Sequence, residues 1–130
     1  MGNPIILSFL LADKVFREME TGKVHIAGTF NRLSAYAFPM LHPQFFTYIA
    51  ISDLSIGEHS LMMELQYFES GEKLLRVDQK IKSSSPLEVI EVSMCFNQIV
   101  FKDPGNVELI LSLNGQIMQT RKLVLKKLEK

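Results

Sequence analysis

The sequence predicts an all-β protein, an antiparallel two-sheet β-sandwich of about eight strands. Three observations carry that reading. Apolar residues recur at period two in several runs, pairs of turn-forming residues that contain Gly stand between those runs, and no stretch between strands shows the 3.6-residue stripe that a parallel, helix-covered sheet needs. A closed antiparallel barrel buries the same alternating faces and is the alternative.

The elements follow in order. Ile5 to Leu11 opens the chain as an apolar strand. In the segment DKVFREME that comes next, Val15 and Met19 stand one helical turn apart, so Asp13 to Glu20 is expected to hold at most one short helical turn, or else the first arm of a hairpin. Thr21-Gly22 then leads into a strand beginning at Lys23. Gln44 to Ser52 is the following strand. Leu61, Met63, Leu65 and Tyr67 alternate before Ser70-Gly71, and Leu75, Val77 and Ile81 come after it, which is a hairpin pattern. Leu87 to Phe101 reads as one strand with a break or bulge near Asn97, because the alternation of Ile90, Val92, Met94 and Phe96 shifts phase to Ile99 and Phe101. The last hairpin is the clearest. Val107, Leu109, Leu111 and Leu113 alternate up to Asn114-Gly115, a pair that readily takes the positive φ angles of a tight type I′ turn.

Between the second and third of these strands lies NRLSAYAFPMLHPQFF, Asn31 to Phe46, unusually apolar for a connection. Pro39 and Pro43 interrupt regular pairing, and Tyr36, Phe38, Met40 and Leu41 offer a large apolar area. The expectation is a crossing connection that packs over one end of the core; an exposed contact surface is the other reading.

Composition bounds the function. The chain has 130 residues, 47% of them hydrophobic, which suits one domain over residues 1–130. Lys+Arg and Asp+Glu balance at 14 each, so there is no global field to hold nucleic acid or an anionic membrane, and neither partner is expected. The charges are unevenly spread. No Lys or Arg occurs between Arg32 and Lys73, where Asp53, Glu58, Glu64, Glu69 and Glu72 fall, whereas Arg121, Lys122, Lys126, Lys127 and Lys130 crowd the end. That end reads as a solvated strand and tail or as a patch for an acidic partner. A lone cysteine, Cys95, excludes an intramolecular disulfide framework, fits a reducing compartment and is expected as a small buried hydrophobe. The opening apolar run lacks a preceding basic region and is far too short for a membrane span, and Ile6 breaks the myristoylation pattern of the Met-Gly start. A cytoplasmic location is expected.

No pattern of chemistry emerges. His25, His42 and His59 are evenly spaced but lack the short ligand spacings of a metal site. Asp13, Asp53 and Asp103 stand singly rather than in the acidic clusters that calcium needs. The pairs Glu88 with Glu91 and Glu69 with Glu72 are chance neighbours in a chain rich in acids, and no nucleophile elbow, phosphate-binding Gly loop or Cys-His arrangement is present. No enzyme, cofactor or metal is expected. The reading that remains is a noncatalytic interaction or structural module that pairs with a protein partner or with itself through a sheet edge, an apolar loop or a charged face. The alternative is a small-ligand or carbohydrate-binding module that uses Tyr36, Phe38 and His42 as an apolar platform with polar tips.

Read in order, the stretches LLAD, TGKVHIAGTFNRL, FPMLHPQFF and PGNVELILSLNG resemble a bacterial family of small proteins classed as a domain of unknown function. The likeness spans nearly the whole chain. It implies a β-sandwich of the immunoglobulin-like or C2-like kind and no activity or site residues. DKVFREME departs from the resemblance, since a clearer strand is expected there.

Overall fold

The computed structural model describes residues 3–129; the Met-Gly opening and Lys130 lie outside them. The described residues form nine strands and no helix: β1 (Ile5–Arg17), β2 (Val24–Thr29), β3 (Arg32–Ala35), β4 (Met40–Ser52), β5 (Gly57–Tyr67), β6 (Lys73–Ser83), β7 (Ile90–Phe101), β8 (Gly105–Leu113) and β9 (Gln116–Lys127). A first sheet has the order β2-β1-β4-β7 and a second the order β3-β9-β8-β5-β6. Every pairing is antiparallel except that of β3 with β9. The all-β class is as expected, but one sheet curls into a half-barrel. Each sheet keeps two edge strands, so the barrel alternative fails. The strand beyond the expected eight is β3, hidden in the Asn31 to Phe46 connection.

Alternation builds the core. Val107, Leu109, Leu111 and Leu113 of β8, Leu61, Met63 and Leu65 of β5, and Leu123 and Leu125 of β9 face Phe45, Ile49 and Ile51 of β4 and Val92, Met94 and Phe96 of β7 in one buried cluster. Fully burying each such side chain contributes about 1.5–3 kcal/mol before entropy is counted. Asn114 (φ 51°) and Gly115 (φ 83°) make the two-residue turn between β8 and β9 that the sequence predicts. Asn114 also ties this turn to the neighbouring strand. Its Oδ1 accepts from the Ser60 amide at 2.9 Å, and its Nδ2 donates to Nδ1 of buried His59 at 2.9 Å, while His59 Nε2 donates to the Ser55 carbonyl at 2.8 Å.

The segment Asp13 to Glu20 holds no helix, and its one turn, closed by the Gly22 amide donating to the Glu18 carbonyl at 2.9 Å, is the loop of a hairpin. β1 runs on to Arg17 because β2 offers it a ladder, with Lys14 opposite Ala27, Phe16 opposite His25 and Arg17 opposite Val24. The hairpin closes where the Glu18 amide donates to the Lys23 carbonyl at 2.8 Å and Gly22 sits at φ 71°. β1 therefore serves two partners: Ile5 to Ala12 pair with β4, and Ala12 to Arg17 with β2.

The first sheet bends at two matched irregularities. In the β1–β2 ladder the pair Asp13/Gly28 is skipped while the register on either side is unchanged, and Gly28 has φ 73°. In the β4–β7 ladder Pro43/Gln98 is skipped in the same way, and Gln98 has φ 53°. Pro43 has no N–H to give the ladder. Beyond that point both strands change phase together, so that Phe45 and Phe96 point inward on one side of it and His42 and Ile99 on the other. The phase shift expected near Asn97 is thus real, but it is shared by both strands and is not a bulge in one.

Cys95 corrects another expectation. It is exposed, with Gln44 Nε2 donating to its sulfur at 3.3 Å, because Val92, Met94 and Phe96 take the inward phase of β7 and leave residue 95 outside. The stretch Asn31 to Phe46 does cross between sheets, passing from β2 in the first to β3 in the second and back to β4. Leu33, Phe38 and Met40 pack on the core, while Tyr36 and Leu41 remain exposed.

A Cβ added at Gly28 would lie 2.5 Å from Asp13 Oδ2 and on a backbone with φ 73°. We expect Gly28→Ala to lower stability by about 1–3 kcal/mol in urea titration. Gly22→Ala, with a similar φ but nothing near its Cβ, should cost less. For the second hairpin, Asn114→Ala should cost about 2–3 kcal/mol, since it removes two side-chain bonds at a positive-φ turn.

Candidate functional site

The three histidines do not converge. His25 is on β2, stacked on Phe16 with ring centroids 5.0 Å apart and bonded to Glu18 at 2.7 Å. His42 is on β4, and His59 is held on β5 by the network described above. Among the described residues no three His, Cys, Asp or Glu side chains are placed to hold a metal ion. Of the three platform residues, Tyr36 is exposed and Phe38 is half-buried against the core. His42 sits between Phe30 and Phe45, at centroid distances of 6.2 and 5.8 Å. Its Nε2 is buried and has no hydrogen-bond partner. Phe38 therefore packs against the core and His42 against the Phe30 and Phe45 rings.

Two other places draw charged side chains together. The first lies where the β1–β2 hairpin folds against the outer face of β4 and β7. Val15, Phe16, Arg17 and Val24 from the hairpin and Tyr48, Glu91 and Ser93 from the sheet line a concavity of about 90 Å³. Here the Tyr48 hydroxyl donates to Glu91 Oε2. Arg17 reaches Glu91 Oε1 at 3.7 Å and donates to the Gly22 carbonyl at 2.7 Å. Burial first, and then the bond to Glu91, push the Tyr48 phenol up to about 12, with Arg17 opposing. Tyr48, Glu91 and Arg17 answer one another within the protein, so this cluster acts as a latch that pins the hairpin to the sheet.

The second place is a groove of about 400 Å³ along β3 and β9, lined by Asn31, Arg32, Lys122, Val124 and Lys126. Alternation sets it up. Leu33 of β3 and Leu123 and Leu125 of β9 turn into the core, which leaves Arg32, Lys122, Val124 and Lys126 on the outer face. Parallel pairing then sets Arg32 opposite Val124 and Ser34 opposite Lys126. Among the described residues none of the three cations is in an ion pair. Lys122 rests 5.4 Å from the centre of the Phe68 ring, and Glu108, which faces it across the β8–β9 ladder, is bonded by Gln66 instead.

The basic end of the chain was visible in the sequence. What sequence reading missed was Arg32, which lies some ninety positions away and joins Lys122 and Lys126 only because β3 pairs with β9.

The profile of a family of unknown function, DUF6941, matches residues 7–126. The chain belongs to that family. No curated protein matches it. The latch residues Arg17, Tyr48 and Glu91 and the groove residues Arg32, Lys122 and Lys126 all fall inside the span shared with DUF6941. No helix among the described residues of this DUF6941 member is long and apolar enough to cross a membrane.

The latch can be read by titration. The folded protein holds the Tyr48 proton more tightly than the unfolded chain does, so this contribution to stability is full below pH 10.0, the ordinary phenol value, and is lost as pH rises towards about 12. Ultraviolet titration should show one tyrosine ionising near the top of that range. Glu91→Gln should move it part of the way down, because burial, the larger cause, remains, and Tyr48→Phe should remove it.

Proposed function

We propose that this DUF6941 protein is a noncatalytic interaction module that engages an acidic partner through the groove between β3 and β9. The observation that carries the reading is the set of three cations, Arg32, Lys122 and Lys126, in one groove and in no ion pair. Other charged clusters satisfy themselves, as Tyr48 with Glu91 and His25 with Glu18 do. Electrostatic complementarity steers encounter and selects partners, which suits a groove whose floor is a rigid ladder. The net charge of zero fits a local patch for a protein segment better than a surface for nucleic acid. The same reading places the protein in the reducing cytoplasm, where a single exposed thiol such as Cys95 is tolerated, and takes its two sheets as a variant of the immunoglobulin-like or C2-like sandwich.

The test is binding of the purified chain to fluorescent polyglutamate, followed by anisotropy. The variant Arg32→Gln/Lys122→Gln/Lys126→Gln should bind about tenfold more weakly or worse, and binding by the unaltered protein should fall as salt shortens the Debye length below about 10 Å. The variant's stability should stay within about 0.5 kcal/mol per site, as is usual for exposed substitutions. Equal binding by variant and parent would sink the proposal. Light scattering on the same samples asks whether the partner is a second copy.

A further inference from the structure

We infer that the acidic partner binds as an added β-strand along the free edge of β3. The inference rests on the function proposed above and adds the manner of recognition. β3 is the outermost strand of the second sheet. Its inner side is used, since the Asn31 carbonyl accepts from the Val124 amide at 3.0 Å and the Ala35 carbonyl from the Leu128 amide at 2.8 Å. Backbone groups alternate sides along a strand, so residues 31, 33 and 35 address β9, and the N–H and C=O groups of Arg32 and Ser34 point the other way. Among the described residues nothing pairs with that outer side.

An unpaired edge is a template for another strand. The usual protection is charge, and the other edge of this sheet shows it. β6 carries Lys73, Arg76, Asp78, Lys80 and Lys82, and all but Lys82 are engaged: Lys73 with Glu64 at 2.8 Å, Arg76 with Asp78 at 3.2 Å and Lys80 with Ser60 at 2.6 Å. Arg32 on β3 and Lys122 and Lys126 beside it on β9 are in no ion pair among the described residues. They therefore repel a basic strand and attract an acidic one, and they convert a general edge into a selective one. The distances suit this. A strand added to β3 runs about 4.8 Å from it and about 10 Å from β9, so acidic side chains on its outer face lie beside Arg32 and within a Debye length of Lys122 and Lys126. Main-chain bonds would supply affinity, and the alternating side chains would supply specificity.

The experiment uses the full chain, a synthetic peptide of alternating Thr and Glu, and the same peptide N-methylated at alternate backbone amides. Strand addition predicts that the first peptide binds and that N-methylation on the pairing side weakens it about tenfold or more. It also predicts that amide exchange at Arg32 and Ser34 slows in the complex. Ser34→Pro, which removes an outward N–H while keeping all three cations, should weaken binding in the same way and leave the fold intact. If the N-methylated peptide binds as well as the parent and exchange at Arg32 and Ser34 is unchanged, strand addition is wrong, yet the acidic-partner reading stands so long as the triple Gln variant still loses affinity. If neither peptide binds, or the triple variant binds both normally, the two proposals fall together.

Discussion

β1 has to satisfy two partners with one strand, and much of the first sheet depends on how it does so. Up to Ala12 its backbone bonds go to β4, and from Ala12 onward they go to β2. The change of partner falls where Gly28 takes φ 73° and the Asp13 carboxylate lies over it, 2.5 Å from where a Cβ would stand. The hairpin that results cannot stand free in water, because two strands alone bury too little. It lies back against β4 and β7, where Arg17 meets Glu91 and Glu91 takes the Tyr48 proton into a hydrogen bond. That arrangement turns the charged groups of the concavity toward one another.

The second sheet solves a different problem. Its centre is built from strands with a simple alternation, and its turn at Asn114-Gly115 is anchored by His59 and Ser60. The outer side of β9 is covered in part by β3, four residues long, which reaches across from the first sheet. A short strand covers little backbone and leaves its own outer side open. Leaving Arg32, Lys122 and Lys126 unpaired costs little at an exposed surface, where ion pairs themselves contribute about 0–1 kcal/mol. Their cost is small when empty and their field is available when an acidic segment arrives, which is the physical basis for reading the groove as an interaction surface.

Local pattern made several features legible. Period-two alternation in Val107 to Leu113 and Leu61 to Tyr67 marked central strands, and Asn-Gly marked its turn, because these signals need only neighbours in sequence. DKVFREME misled for the opposite reason. Its helix-like spacing is real, but ladder partners thirteen to seven residues away override so weak a local preference. Cys95 shows a case where the information was present and unused: the alternation of Val92, Met94 and Phe96 already assigns residue 95 to the outer face.

By itself the sequence determined the all-β class, the main strands and hairpins, and membership signals that run through nearly the whole chain, since each follows from side-chain period or from turn residues with special φ angles. Tertiary structure alone decided that Asn31 to Phe46 contains a strand, that β3 lies parallel to β9, and that Arg32 joins Lys122 and Lys126. Parallel pairing between distant segments leaves no local mark, because its partner is chosen by how two sheets close over a shared core and not by any residue in the strand.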